Sequence, residues 1–155
     1  AAFAQLQSAG HIRNWGVSNL DTAEMDELWN LPDGGQVQTD QILYNLTRRG
    51  AEWDLLPWLR EHQVPVMAYS PIEQGRLAKN SALGAFARRH GMTPAQVALA
   101  WLLAQENLIA IPKTASAARV AENLDALAHP LDAGALAELD RLFPPPHGAA
   151  PLEML

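Results

Sequence analysis

Short apolar runs alternate with helical patterns along the whole chain. Four runs have the length of strands and stop at small polar residues, and they cover residues 12–19, 36–45, 64–70 and 108–113. The segments between them carry apolar residues at spacings of three and four, which is typical of helices packed on one face. A strand–helix repeat with near-continuous apolar strands predicts a parallel sheet covered by helices, and therefore the α/β class.

Capping residues mark where several of the helices begin. Asp21 is followed three residues later by Glu24, which is a capping-box pattern. Thr93 stands directly before a proline, and Ser116 and Asp132 precede the last two helical segments. The predicted helices cover residues 1–10, 20–31, 51–63, 81–91, 93–105, 116–128 and 132–143.

The strand count allows two architectures. Four strands in 155 residues fit a small open doubly wound sheet. They also fit half of an eight-stranded barrel, which needs about 250 residues when whole. A lone half-barrel leaves two strand edges and one sheet face uncovered, so it would need a missing half or self-association.

The two ends of the chain add to this picture. The chain has no initiating Met and opens inside a helical pattern, so we expect it to be a piece of a longer protein. Residues 1–143 are predicted to form the folded unit. Residues 144–155 are proline-rich and predicted to be a mobile tail.

Composition excludes several classes of function. The formal net charge is −6, and basic residues cluster no further than the pairs Arg48-Arg49 and Arg88-Arg89. Nucleic acid and anionic membrane are therefore not expected as main partners. The chain has no cysteine and its five histidines are scattered, so no metal site is predicted. No apolar run has the length of a membrane span, and a cytoplasmic location is expected.

Polar side chains follow each predicted strand. The strand ends carry Ser18-Asn19, Gln41, Tyr69-Ser70 and Lys113-Thr114. Ligands bind at the carboxyl ends of strands in both candidate architectures. Serine and asparagine are also ordinary turn residues, but turn chemistry does not require a glutamine, a tyrosine and a lysine on one rim. The four ends together indicate a ligand site.

The segment 113–123 points to an anion. If Ser116 caps the helix, Arg119 lies in its first turn, where a cation opposes the helix dipole. Arg119 and Lys113 beside free N–H groups at a helix start would attract a phosphate. The alternative is a solvated arginine tolerated at small cost. Glu122 and Asn123, one turn on, could bond a purine edge, although that pair alone indicates little.

These residues carry a resemblance to a known family. The stretches GHIRNWGVSN, TDQILYN, VMAYSPIEQGRL, ALAWLLAQ and AIPKTASAARVAEN resemble, in order and spacing, the C-terminal half of an aldo-keto reductase, from Gly10 to Leu142. The resemblance implies a (β/α)8 TIM-type barrel that uses NADPH to reduce the carbonyl of an aldehyde or ketone. This chain would supply only the last four βα units.

The resemblance also implies fourteen cofactor contacts. Ser18, Asn19 and Gln41 would hold the nicotinamide carboxamide, and Tyr69 would stack on the ring. The loop along the pyrophosphate would contain Ser70, Ile72, Gly75 and Arg76. The adenosine end would be held by Lys113, Thr114 and Arg119 at the 2′-phosphate, with Ser116 at the helix start, and by Glu122 and Asn123 at the adenine.

The same resemblance implies that no catalytic residue is present. The family uses a tyrosine acid with a lysine, an aspartate and a histidine, all from the first half of the barrel. Tyr44 and Tyr69 fall on other motifs. Three hypotheses stay open: the cofactor half of a reductase, an NADP-binding half-barrel without turnover, and a barrel aldolase with Lys113 as Schiff-base lysine.

Overall fold

A computed structural model describes residues 2–155. Its longer helices are α1 (Ala2–Ser8), α2 (Thr22–Trp29), α3 (Leu55–Glu61), α4 (Ser81–Arg89), α5 (Pro94–Leu103), α6 (Ala117–Asp125) and α7 (Ala133–Leu142). Its strands are β1 (Val17–Ser18), β2 (Asp40–Leu43), β3 (Val66–Tyr69) and β4 (Leu108–Ala110). Every predicted helix and strand has a counterpart in the structure.

The four strands form one parallel sheet in the order of the sequence, β1-β2-β3-β4. Val17 pairs with Asp40, Asp40 with Val66, and Val66 with Leu108, so one row of residues crosses all four strands. The predicted α/β class with a parallel sheet is confirmed. Because the strands run in one direction, their carboxyl ends share one edge of the sheet.

Helix starts follow the capping chemistry of the sequence. The Asp21 carboxylate accepts a hydrogen bond from the backbone N–H of Glu24 at 2.9 Å, and the Glu24 side chain accepts one from the N–H of Asp21 at 2.9 Å. Thr93 forms the same reciprocal arrangement at the start of α5. Ser116 and Asp132 cap α6 and α7, as predicted.

Strand β1 is much shorter than the predicted run of residues 12–19. It is an edge strand, held only by β2, so few of its residues meet a partner. Gly16 approaches β2 so closely that a Cβ there would lie 2.5 Å from Thr39 Cγ2 and 2.7 Å from the Thr39 carbonyl oxygen. Two backbone bonds continue the pairing, from Val17 N–H to the Thr39 carbonyl and from Asn19 N–H to the Gln41 carbonyl.

The helices cover one face of the sheet. Ile42, Val66 and Ala68 point toward them and are buried, and α5 contributes Trp101 and Leu102 to the same core. On the opposite face the side chains alternate with these and are less covered. They include Gln41, Met67, Tyr69 and Ile109, the last of which is 47% exposed, whereas Leu43 on the same face is buried.

Helix α6 and the segment after it carry a second apolar surface. Val120, Leu124 and Leu127 follow one another at helical spacing and are 55%, 65% and 63% exposed. Nothing in residues 2–155 covers this stripe. The structure therefore has an exposed apolar surface on this helix as well as on the sheet.

The C-terminal segment 144–155 contains no helix or strand. It follows the surface nonetheless, since Leu152 packs against the core and Glu153 pairs with Arg48 at 2.6 Å. Its mobility stays a prediction. None of the helices within residues 2–155 has the length and apolar character needed to cross a membrane.

One carboxyl lies inside this core. Asp40 is 0% exposed, and neither side-chain oxygen accepts a hydrogen bond within the described residues. Burial raises the pKa of Asp40 from 3.8 to about 7. The backbone N–H groups of Leu20 and Asn19 act to lower this pKa, and the negative charge of Glu24 acts to raise it.

Asp40 should make folding stability fall as pH rises. Between pH 3.8 and about 7 the folded state holds a proton that the unfolded state has lost, so the free energy of unfolding decreases with pH. The Asp40 contribution is about 1.4 kcal/mol for each pH unit in this window and is constant above it. Urea unfolding at several pH values should show this slope in the wild type and not in Asp40→Asn. The exposed control Asp26→Asn should keep it. An unchanged slope in Asp40→Asn would contradict the assignment.

Candidate functional site

The carboxyl edge of the sheet brings the predicted polar rim together. Ser18 and Gln41 are register partners on β1 and β2. The Ser18 hydroxyl donates to the Gln41 carbonyl at 2.9 Å, and the backbone N–H of Asn19 donates to the same carbonyl at 3.0 Å. The Gln41 side-chain amide donates to the Met67 sulfur at 3.0 Å. These three predicted residues therefore form one connected row.

Asn19 is held in an unusual conformation. Its φ is 57°, in the left-handed region that few residues other than glycine adopt. Its side-chain oxygen is buried and has no hydrogen-bond partner within residues 2–155. A buried acceptor without a donor is costly, and a ligand amide at this position would satisfy it.

A cavity of 790 Å³ opens beside the ends of β3 and β4. It is lined by nine of the fourteen predicted cofactor residues: Ser70, Ile72, Gly75, Arg76, Lys113, Thr114, Arg119, Glu122 and Asn123. Ser18, Asn19, Gln41 and Tyr69 lie on the neighbouring rim, outside this lining. Ser116 lies at the start of α6, where its hydroxyl accepts the N–H of Arg119 at 3.5 Å.

The cavity is strongly basic for an acidic protein. Both lysines of the chain, Lys79 and Lys113, line it together with Arg76 and Arg119, against the single acid Glu122. Lys79, Lys113 and Arg119 make no ion pair within the part of the chain described here. Three cations without an ion-pair partner in one cavity, with Arg119 in the first turn of α6, make a site for a phosphate-bearing anion.

The loop after β3 forms the floor of the cavity in a strained backbone. Ser70, Glu73 and Gln74 have φ values of 50°, 48° and 53°, and Gly75 has 84°. Left-handed residues persist where the surroundings determine them. Here the surroundings include Asn45, whose side-chain amide donates to the Ser70 carbonyl at 2.9 Å.

The Glu73 carboxylate anchors this loop. It is 4% exposed and accepts hydrogen bonds from Asn45 at 2.7 Å, Arg48 at 3.0 Å and Arg76 at 2.7 Å. Burial alone would raise the pKa of Glu73, but the bonds from Arg48, Arg76 and Asn45 lower it below the ordinary value. Arg76 is therefore tied to the loop as well as facing the cavity.

Sequence reasoning missed Glu73 and Lys79. Lys79 stands three residues after Arg76 in the same loop region, and this repetition of cations was the available signal. Glu73 carried no signal of its own, because its partners Asn45 and Arg48 come from a distant part of the chain.

The contacts of Tyr44 and Tyr69 do not support a role as a general acid for either tyrosine. Tyr44 is fully buried, and its hydroxyl donates to Glu52 at 2.7 Å. Burial, followed by the charge of Glu52 and the hydrogen bond to it, raises the Tyr44 pKa above its ordinary value. Tyr69 lies on the less covered face of the sheet. His62 and His90 follow directly after α3 and α4.

Comparison with known proteins agrees with this geometry. A sequence profile described as the aldo/keto reductase family matches residues 1–143. The methylglyoxal reductase YeaE of Escherichia coli (strain K12) is 48% identical over 100% of this chain and 56% of its own length. The glyoxal reductase of Bacillus subtilis (strain 168) is 32% identical over 80% of this chain and 44% of its own length.

Solved structures show the same relationship. An aldo-keto reductase from Klebsiella pneumoniae in complex with NADPH has a TM-score of 0.95 and 45% identity, over 99% of this chain and 56% of that chain. An aldo/keto reductase from Klebsiella pneumoniae in complex with NADP and acetate has a TM-score of 0.96 and 45% identity over the same shares. The chain spans about half the length of the curated relatives it matches. It belongs to the aldo/keto reductase family.

Proposed function

We propose that this chain is the C-terminal, cofactor-binding half of a (β/α)8 barrel that holds NADPH and serves the reduction of small aldehydes or ketones. The observation that carries the proposal is the basic 790 Å³ cavity at the start of α6. The proposal is also supported by sequence similarity, because this chain is 45% identical to Klebsiella pneumoniae aldo-keto reductases whose structures were solved with NADPH and NADP.

The topology supports a barrel over a doubly wound sheet. A doubly wound sheet reverses its strand order and carries helices on both faces. Here the strands follow the sequence order and the helices cover one face. Right-handed crossovers in one direction produce this arrangement, and its continuation is a closed barrel. The exposed side chain of Ile109 and the stripe on α6 would then meet the rest of the barrel.

The adenosine end of the cofactor fits the basic wall of the cavity. Lys113 and Arg119 would bind the 2′-phosphate, with Thr114 and the N–H groups of α6 beside them. Glu122 and Asn123 also line the cavity and would contact the adenine. Lys79, which follows the proposed pyrophosphate loop in the sequence, adds a further positive charge to the cavity.

The nicotinamide end fits the rim of β1 and β2. The partnerless Asn19 oxygen would accept from the carboxamide NH₂, and Ser18 and Gln41 would complete the polar row. Tyr69 is the last residue of β3, lies on the same face of the sheet as Gln41 and would stack on the ring. The loop 70–76 would run between the two ends along the pyrophosphate.

Bound NADPH supplies the electron pair and hydrogen that carbonyl reduction requires. The residues described here would bind and orient it, and the proton donor would come from outside this chain. The methylglyoxal reductase relative makes a small dicarbonyl the first substrate to test.

The second candidate function is an NADP-binding module without turnover, favoured by the buried, Glu52-bonded Tyr44. The exposed Lys113 lacks the desolvation that an aldolase lysine requires.

The phosphate assignment predicts a preference for NADPH over NADH. In Arg119→Ala, NADPH affinity should fall about tenfold, because a charge-assisted bond to the 2′-phosphate is lost. NADH affinity should change less than twofold. Calorimetric titration measures both, with Arg88→Ala as a control that removes an exposed arginine outside the cavity lining. Equal binding of the two nucleotides by the wild type would refute the assignment.

The Glu73 anchor predicts a pH-dependent loss of stability when its charge is removed. Glu73→Gln should lower the free energy of unfolding by about 2 kcal/mol, since Arg48 and Arg76 lose their buried partner. Because the pKa of Glu73 is lowered on folding, its contribution is present above pH 4.5 and disappears at lower pH. The difference from wild type should therefore shrink in acid. Glu153→Gln, which removes the exposed partner of Arg48, is the control. A constant difference at all pH values would count against the anchor.

The incomplete site predicts no turnover by this chain alone. Methylglyoxal and NADPH, mixed with the purified chain, should show no decrease of absorbance at 340 nm above the background without protein. A full-length aldo-keto reductase in the same assay serves as the positive control. NADPH consumption at an ordinary enzymatic rate would contradict this prediction and point to a proton donor within residues 1–155.

A further inference from the structure

Helix α6 carries much of the proposed adenosine site, yet it is loosely packed on the rest of the chain. Arg119, Glu122 and Asn123 lie on this helix and line the cavity. None of the residues of α6 is buried, and Val120 and Leu124 are 55% and 65% exposed. Apolar packing within this chain therefore contributes little to holding α6 in place.

Two hydrogen bonds from Gln96 join α6 to the neighbouring helix α5. The Gln96 side-chain amide donates to the Asp125 carboxylate at 2.8 Å and to the Glu122 backbone carbonyl at 3.4 Å. Within residues 2–155, no other side chain outside the segment 114–129 forms a hydrogen bond or ion pair with α6. Gln96 is therefore the polar link between α6 and the rest of the fold.

Gln96 is itself held firmly at the start of α5. It is 7% exposed, and its side-chain oxygen accepts a hydrogen bond from the Thr93 N–H at 2.8 Å. The Gln96 backbone N–H donates to the Thr93 hydroxyl at 3.2 Å, which completes the capping box. The side-chain oxygen thus bonds the start of its own helix, while the side-chain nitrogen bonds the next helix.

The residue type at position 96 separates these two tasks. Glutamate and glutamine both serve at the third position of a capping box, and a glutamate there also interacts favourably with the helix dipole. The capping box of α2 uses a glutamate, the exposed Glu24. In place of Gln96 a carboxylate could cap α5, but it could not donate a hydrogen bond to Asp125. The amide is therefore explained by the contact with α6 and not by the cap.

We infer that Gln96 is a positioning residue for the adenosine end of the cofactor: its side-chain amide holds α6 where Arg119 and Asn123 line the cavity. The inference rests on the proposed function. It assigns Gln96 no contact with the nucleotide, and Gln96 is not among the residues that line the cavity. The adjacent Ala95 does line it, so the start of α5 adjoins the site that Gln96 would shape.

Reversing the direction of the hydrogen bond tests this role. Gln96→Glu keeps the capping oxygen, removes the donor and sets a carboxylate against Asp125. The probe is 2′,5′-ADP, which carries the adenosine and the 2′-phosphate of NADPH without the nicotinamide. Its affinity for Gln96→Glu should fall about tenfold, and the backbone amides of α6 should exchange with solvent faster while those of α5 do not.

A double variant should reverse both effects. When Gln96→Glu is combined with Asp125→Asn, the new amide on α6 can donate to the new carboxylate on α5. The affinity for 2′,5′-ADP should return to within about threefold of wild type, and the slow exchange of the α6 amides should be restored.

Gln105→Glu is the matched control, because it makes the same substitution just after the other end of α5, where the Gln105 side chain donates to the Trp101 carbonyl at 3.2 Å. It should change the affinity for 2′,5′-ADP less than about twofold. Calorimetry gives the affinities, mass spectrometry follows hydrogen exchange, and circular dichroism checks folding. If Gln96→Glu unfolds, Asp125→Ala replaces it, since it breaks the same bond from the exposed helix.

The outcomes separate the inference from the proposed function. Unchanged 2′,5′-ADP binding in Gln96→Glu, or a loss that the double variant does not reverse, overturns the positioning role. Weaker binding with unchanged exchange in α6 also overturns it, since a long-range effect of the added charge would then be the cause. A wild type that does not bind 2′,5′-ADP overturns the proposed function itself, and the Gln96 inference with it.

Discussion

The parallel register of four strands is the constraint on which the rest of the structure depends. A single row of paired residues crosses Val17, Asp40, Val66 and Leu108. Once that row is set, every strand ends at the same edge, and residues distant in sequence become neighbours. Ser18 meets Gln41, and the loop after β3 faces the start of α6. The cavity is therefore a product of strand alignment.

Much of this arrangement could be predicted from the sequence because its causes are local. Capping pairs such as Asp21 with Glu24 fix helix starts within three residues. Apolar runs closed by polar residues indicated all four strands. The cation pair Lys113 and Arg119 predicted an anion site, and both line the cavity.

The features that escaped prediction depend on contacts across the chain. The Glu73 anchor depends on hydrogen bonds from Asn45 and Arg48, which are distant from Glu73 in the sequence. No local sequence pattern indicates such partners. The length of β1 depends on how closely Gly16 approaches Thr39 and on having only one partner strand. The burial of Asp40 could not be predicted, because it lies in the polar stretch TDQ, and such a stretch is more typical of a strand end than of a buried core.

The distribution of amines has a chemical consequence. Lys79 and Lys113 are the only lysines of the chain, and both line the basic cavity at the start of α6, while the remaining side-chain cations are nine arginines and the histidines. Acylation of lysine side chains would therefore remove two of the four positive charges that line this cavity and leave every arginine charged. An amine-reactive label on Lys79 or Lys113 would therefore report whether a nucleotide occupies the cavity, and no lysine or cysteine needs to be introduced for labelling.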